Sequence, residues 1–170
     1  EATVMAFANT QSIVAADVNN MLRGLQRDNT TYSVTGTTTE TDMASLSITA
    51  ATIGATGAIH VIAAGTITSV GNGQKDIRLK LGATTIATVT RTAANAQDWQ
   101  IEAWCFNTAA NAQRWKVIYS TSDAATLTGD YITSAIDTAS AQTLKLTGDL
   151  ADATDTITQV IFEVFLVQIT

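Results

Sequence analysis

The chain has 170 residues and a net charge of −6; 46% of its residues are hydrophobic and only 14% are charged. This length suits one domain with a substantial core and is short for two. The nine basic residues are scattered, which argues against wrapping nucleic acid, because that requires clustered Lys and Arg to displace counterions from phosphates. Soluble domains usually carry about 25% charged residues, and here Thr and Ala fill the gap. Because Thr is β-branched with a polar end, the composition predicts β-structure with a largely neutral surface.

Residues 1–30 differ from the rest, and we expect them to form an N-terminal arm followed by a short helix. Residues 1–12 show no clear period. Four apolar residues then fall at i, i+3, i+4 and i+7, which predicts a helix from about residue 15 or 16 to residue 27: Val18, Met21, Leu22 and Leu25. A helix of about twelve residues is marginal in isolation. We therefore expect this stripe to bind the sandwich, a sister subunit or a larger partner.

From about residue 41 the hydrophobic period changes to two, which predicts half-buried strands. Eight such segments occur, with apolar positions at Leu46 and Ile48; Ile59, Val61 and Ala63; Ile77, Leu79 and Leu81; Ile86 and Val89; Ile101, Ala103 and Cys105; Trp115, Val117 and Tyr119; Leu144 and Leu146; and along 157–169. Glycine-rich turns separate several of them. The pattern predicts an all-β domain over residues 31–170, a single antiparallel, jelly-roll-like β-sandwich of about eight strands. Proline, which often protects the edge strands of a sheet, is absent, so we expect neighbouring subunits to cover the strand edges instead.

A short sequence repeat brackets one long predicted strand. The segment Thr92–Trp99 recurs with one change as Thr108–Trp115. A smaller echo relates Leu127–Asp130 to Leu146–Asp149. The first pair should lie in loops at opposite ends of the sandwich. It is either reuse of a good loop sequence or a pair of surface contact loops.

The sequence predicts no enzyme, and neither a metal nor another cofactor. His60 is the only histidine and Cys105 the only cysteine, so no disulfide within the chain is possible. No Gly-x-Ser-x-Gly motif accompanies His60. Three carboxylates, Asp149, Asp152 and Asp155, lie three residues apart without the spacing of a calcium loop, which favours a solvated acidic loop.

The three tryptophans divide by the parity of their strands. Trp99 and Trp115 are expected to fill the core, because they share parity with apolar neighbours. Trp104 and Phe106 fall on the opposite face and are the best candidates for an exposed or interface aromatic pair. No segment is long and apolar enough for a membrane span, and no Sec signal is recognised. The chain is therefore expected to be made in a reducing cytoplasm and to contact no membrane.

Two stretches resemble known proteins. Val14–Arg23, followed by Arg27-Asp28-Asn29, resembles the helical lead-in of many tailed-bacteriophage virion structural proteins, and Gly36–Ile48 is similar to the first strand of their β-domains. Ala64–Ile67, leading to Ile77–Gly82, is also similar to those domains. The matches cover roughly the first half of the chain.

The resemblance implies a virion component made in the host cytoplasm, a homotrimer that contacts the major capsid protein or other virion proteins. Its implied place is the capsid surface, as a decoration, cement or head-fibre protein attached by its arm and helix. The alternative is a tail or fibre module that binds a host receptor or glycan.

Overall fold

The structure, a computed structural model, describes residues 5–6, 12–13, 23–122 and 128–167. These residues form strands, turns and loops, and no helix occurs among them. The strands are β1 (Met5–Ala6), β2 (Ser12–Ile13), β3 (Arg23–Asp28), β4 (Tyr32–Thr35), β5 (Thr41–Ile48), β6 (Ala58–Thr68), β7 (Lys75–Leu81), β8 (Thr84–Arg91), β9 (Gln97–Ala109), β10 (Ala112–Thr121), β11 (Thr128–Ser134), β12 (Gln142–Leu150) and β13 (Thr156–Val167).

Eleven of these strands form two antiparallel sheets. The larger sheet has the order β11-β10-β9-β6-β13-β3, and β4 also pairs with β13. The smaller sheet has the order β5-β12-β7-β8. The chain passes between the sheets repeatedly, since β5, the β7–β8 hairpin and β12 belong to the smaller sheet and the strands before and after each of them belong to the larger one. The predicted all-β architecture of antiparallel sheets is therefore confirmed.

The core lies between the inner faces of the two sheets. Trp115, Cys105, Ile59 and Leu166 lie directly opposite one another on four neighbouring strands of the larger sheet, and each is at most 2% exposed. The smaller sheet contributes Leu79 and leucines at equivalent positions. Because successive residues of a strand point to opposite faces, the residues beside this inner row define an outer row on the same strands.

The predicted helix is wrong where the structure describes it. Residues 23–28 form strand β3, which pairs with β13, and a β-bulge near Leu25 lets that side chain pack against the core. Backbone hydrogen bonds to β13 stabilise an extended conformation there, although the apolar residues are spaced as in a helix. Val18, Met21 and Leu22 lie outside the described residues. The expected division between an arm over residues 1–30 and a sandwich over residues 31–170 stays a prediction.

The expected count of eight strands is too low. The strands missed in the sandwich are β3, β4 and β11. β11 lies at one edge of the larger sheet and is mostly exposed, while β3 and β4 both pair with β13 near the other edge. Edge strands bury little on either face, so they show no clear alternation of apolar and polar residues.

The three acids of the predicted acidic loop, of which Asp149 lies in β12 and the other two follow it, are not uniformly solvated. Asp155 is fully buried and forms an ion pair of 3.1 Å with the buried amine of Lys75. Asp149 instead pairs with Arg78 at 2.9 Å. Asp152 accepts hydrogen bonds from the backbone and side chain of Thr154. The three carboxylates therefore have separate structural partners, which their regular spacing did not indicate.

Candidate interaction surface on the larger sheet

A row of large side chains crosses the outer face of the larger sheet. Its members lie opposite one another on five adjacent strands, from β13 to β11, and we call them the outer aromatic row: Phe165, His60, Trp104, Lys116 and Tyr131. They lie one residue away from the inner row described above. The register that buries the core therefore also aligns this row.

The members of the outer aromatic row pack side by side. The rings of His60 and Trp104 are stacked, with centroids 4.8 Å apart and planes 5° apart. Phe165 lies on the other side of His60, with ring centroids 6.1 Å apart. The Lys116 amine lies 4.4 Å from the centre of the Tyr131 ring, a cation–π distance. Such cross-strand contacts hold the side chains in fixed orientations on the face.

His60 has a polar partner as well as an aromatic one. Its Nε2 lies 2.8 Å from Oε1 of Glu102, and both side chains are partly buried. A second pair, Arg27 and Glu163 at 2.7 Å, lies at the β3 side of the same sheet. The charges near the row are thus largely paired with one another, and its centre offers aromatic surface.

The structure separates the three tryptophans as the parity of their strands predicts. Trp99 and Trp115 are 2% and 1% exposed, which confirms that they fill the core. Trp104 lies on the outer face, and Phe106 lies two residues further along the same face and is 44% exposed. Tyr131 is 84% exposed and was missed, because β11 carries no apolar alternation that would mark it as a strand.

Of the other predicted contact residues the structure describes Leu25, which packs against the core and not in this row. Val18, Met21 and Leu22 lie outside the described residues. Gly24, on β3, lies directly opposite Phe165 and extends the row to the sheet edge. No residue that the structure describes lies within 4 Å of the position that a methyl group at Gly24 would take.

A shallow groove of about 370 Å³ lies further along the same sheet. It is bounded by Val160 and Ile161, which a β-bulge on β13 leaves about 40% exposed. Hydroxyl, amide and carboxylate groups line its other side, among them Ser120, Gln100 and Asp98. The outer face is thus aromatic toward one end and more polar toward the other.

The repeated sequence segments lie at opposite ends of β9, as predicted. The first leads into the start of β9, and the second runs from the end of β9 through the turn into β10. In both copies the Gln and Trp side chains are buried: Gln97 with Trp99, and Gln113 with Trp115. The amide of Gln113 accepts from the Ile136 backbone N–H and donates to its carbonyl, at 2.8 and 2.9 Å. Because these side chains are buried, the repeat is better explained as reuse of a loop sequence that closes the end of the sandwich than as a pair of surface contact loops.

Within the part of the chain that the structure describes, no three His, Cys, Asp or Glu side chains lie close enough to hold a metal ion. In the same residues no helix is long and apolar enough to cross a membrane.

Comparison with known proteins adds distant structural likenesses. No family model and no curated protein matches the chain. A solved structure of the CBM2 module of Lactobacillus casei BL23 phage J-1 evolved Dit is similar over 74% of this chain and 70% of its own, with 8% identity and a TM-score of 0.41. Infectious bursal disease virus Gx strain and the VP2 subviral particle of that virus cover 96% of this chain, with 12% and 14% identity and TM-scores of 0.28 and 0.29. This chain spans 46% of each of those two chains. We infer neither mechanism nor partner from likenesses of this size.

Proposed function

We propose that the chain is a structural protein of a tailed-bacteriophage virion that acts through its surfaces and carries out no reaction. Within that class we propose a capsid decoration or cement protein, which binds the outer capsid surface and stabilises the shell. The observation that supports the proposal is the outer aromatic row. Contiguous aromatic surface on an open sheet face is typical of protein–protein contacts.

The packing of the row favours a protein partner over a small ligand. The ring of Trp104 stacks on His60, so one of its faces is already occupied, and Lys116 lies opposite Trp104 on the next strand. A sugar ring would need a free aromatic face to stack upon, whereas a protein surface can pack against the row as it stands.

We infer that eight of the eleven sandwich strands form a jelly roll. The orders β4-β13-β6-β9 and β5-β12-β7-β8 place the strands of two facing sheets as two interleaved Greek keys would. The hairpin of β10 and β11 then extends the first sheet beyond β9. This extension carries Lys116 and Tyr131, and so lengthens the outer aromatic row.

We further propose a homotrimer that contacts the major capsid protein. β11 and β8 are unpaired along one side among the described residues, and the chain has no proline to protect such edges. Neighbouring copies would cover them. A decoration protein that binds only the assembled shell stabilises the shell by mass action. The stabilisation is about 2.7 kcal/mol per site when the free concentration of the protein is a hundred times its Kd. A monomer in light scattering at micromolar concentration would contradict the trimer alone.

The experiment adds the purified chain to phage particles assembled without it and measures co-sedimentation and the temperature of shell rupture. We expect binding to raise that temperature. Phe106→Asp and Tyr131→Asp should each weaken binding, since both place a charge on the exposed part of the face. Ser47→Asp is the matched control, because it adds the same charge to an exposed position on β5 in the smaller sheet. Equal binding by all four proteins would refute the assignment of the contact to this face.

A tail or fibre module that binds a host receptor or glycan is the second candidate. The exposure of Phe106 and Tyr131 favours it, because free aromatic side chains also suit carbohydrate. Labelling the chain in imaged virions separates the two roles. Label on the tail, with binding of the purified chain to host cells, would replace the decoration role by this one.

A further inference from the structure

Two basic residues lie on the outer face of β10, between the exposed aromatic side chains of β9 and β11. Arg114 and Lys116 are two residues apart and share the parity of the outer aromatic row. Arg114 lies opposite Phe106 on β9, and Lys116 lies opposite Trp104. We call Arg114 and Lys116 the β10 cation pair. Because alternate residues of a strand are about 7 Å apart on one face, the two charges form one small positive site.

The β10 cation pair differs from five basic side chains elsewhere in the described residues. Each of those five contacts a carboxylate: Arg27, Lys75, Arg78, Lys80 and Lys145. Among the described residues no carboxylate forms an ion pair with Arg114 or Lys116. Lys116 contacts the Tyr131 ring, which is uncharged and leaves the charge of the amine uncompensated. Both charges are therefore available to carboxylates of another molecule.

Apolar surface adjoins the β10 cation pair on both sides. Phe106 is 44% exposed and Tyr131 is 84% exposed, and Arg114 is exposed between their strands. The Lys116 amine lies 4.4 Å from the centre of the Tyr131 ring, so its charge is held beside that ring. A molecule that matches this site has to combine carboxylates with apolar groups.

The charge of the whole chain narrows the class of partner. The net charge is −6, so a polyanion such as a nucleic acid is repelled overall, and two cations displace few of its counterions. A protein surface carries carboxylates in small groups beside apolar side chains and so meets both requirements. Because like charges elsewhere on the chain disfavour other orientations, an acidic protein would be directed to the β10 cation pair.

We propose that the β10 cation pair binds two carboxylates of an acidic protein surface, while Phe106 and Tyr131 pack against apolar side chains beside those carboxylates. For the identity of the partner the inference rests on the proposed function. The capsid surface that the chain binds then presents carboxylates about 7 Å apart, the spacing of alternate residues on a strand. The cations steer and orient the partner, and the aromatic side chains supply buried apolar area.

A random copolymer of glutamate and tyrosine is the probe, because it combines carboxylates with apolar rings. A copolymer of lysine and tyrosine is its charge-reversed counterpart. We expect the chain to bind the glutamate copolymer at low salt, to bind it less tightly as salt is added, and not to bind the lysine copolymer. Arg114→Gln/Lys116→Gln should raise Kd about tenfold, since one exposed ion pair changes Kd by up to about fivefold.

Two control variants keep either the charge change or the charges themselves. Lys80→Gln/Lys145→Gln removes the same charge from the outer face of the smaller sheet, where these residues lie opposite each other, and should leave Kd unchanged. Arg114→Lys/Lys116→Arg keeps both charges of the β10 cation pair and should bind as the unsubstituted chain does. Circular dichroism and urea unfolding check that each variant folds.

The proposal is overturned if the unsubstituted chain does not bind the glutamate copolymer, or if Arg114→Gln/Lys116→Gln binds it equally well. Equal weakening by Lys80→Gln/Lys145→Gln would also overturn it, because only the net charge would then matter. Tighter binding to polygalacturonate or oligothymidylate than to the glutamate copolymer would replace the protein partner by an acidic polysaccharide or a nucleic acid.

Binding to phage particles assembled without the chain separates this inference from the proposed function. If Arg114→Gln/Lys116→Gln binds particles normally while Tyr131→Asp binds weakly, the decoration role stands and the inference fails. If the chain binds no particles but the copolymer results are as expected, the decoration role fails and the preference for an acidic protein surface stands.

Discussion

The buried Lys75–Asp155 pair closes one end of the sandwich, and we predict that it is the most sensitive polar contact in the chain. Both side chains are fully buried. The Lys75 amine donates to Asp155 at 3.1 Å, to the Ser69 hydroxyl at 2.6 Å and to the Gly71 carbonyl at 3.1 Å. Each of its three protons therefore has an acceptor, and one side chain ties two loops together.

Replacing Lys75 by Met keeps most of the side-chain volume but removes the charge and all three hydrogen bonds. Asp155 would keep its bonds from the Val70 backbone N–H and the Ser69 hydroxyl, at 2.7 and 3.2 Å, but would lose its counter-charge. Leaving one partner of a buried pair uncompensated costs about 3–5 kcal/mol. For a domain of this size that corresponds to a fall in Tm of about 6–20 °C.

Urea unfolding, followed by circular dichroism, measures the loss as a lower midpoint at unchanged m-value. Lys80→Met is the matched control, since Lys80 pairs with Glu40 at 2.9 Å in a partly exposed position and should cost at most about 1 kcal/mol. The double variant Lys75→Met/Asp155→Asn should recover part of the loss, because no unpaired charge remains. Equal costs for Lys75→Met and Lys80→Met would refute this account of the buried pair.

Three further predictions concern titration, close packing and thiol reactivity. Burial raises the pKa of Asp155, but hydrogen bonds from Val70 and Lys75 outweigh it and hold the pKa below its usual range. Ionised Asp155 stabilises the fold fully above its unfolded-state pKa of about 3.9, and this stabilisation is lost as the pH falls through its lower folded-state pKa. The loss of stability caused by Lys75→Met should therefore shrink below about pH 4; a loss that stays constant down to about pH 2 would contradict this. Gly65→Ala should cost about 1–3 kcal/mol in urea unfolding, because its Cβ would overlap a backbone oxygen of β13, whereas Gly24→Ala, whose Cβ would meet no described residue within 4 Å, should be neutral; equal effects would count against the packing. Burial raises the pKa of Cys105 to about 12, so iodoacetamide at pH 8 should label this thiol only after unfolding, and rapid labelling of the native chain would show that the site is open.

The buried faces of the sandwich were predictable because burial imposes a period of two. Ile59, Val61 and Ala63 are all fully buried, whereas His60 and Ile62, with which they alternate, are only partly buried. The same parity placed Trp99 in the core and Trp104 outside it. Each inference needed only the positions of residues within one strand.

Features that depend on which strands are neighbours were not predictable. The outer aromatic row joins residues from five strands, and single-strand patterns do not give the sheet order. In the sequence Asp155 is one of three similarly spaced acids, and nothing distinguishes it because its partner Lys75 lies eighty residues away. Leu25 continued a helical period that pairing with β13 overrides, since a period describes local preference and the sheet supplies tertiary contacts.

Buried amides at one end of β9 and β10 fix the register that aligns the outer aromatic row. Asn107 donates from its side-chain amide to the Thr138 hydroxyl and to a backbone carbonyl, and Gln113 forms two bonds with the Ile136 backbone. A slip of β9 by two residues would keep apolar side chains inward, but it would break the bonds of Asn107 and place Phe106 or Glu102 opposite His60 instead of Trp104. Hydrophobic parity alone tolerates such a slip, whereas unsatisfied buried amides do not. The polar groups in the core therefore specify the arrangement of the surface that we propose binds a partner.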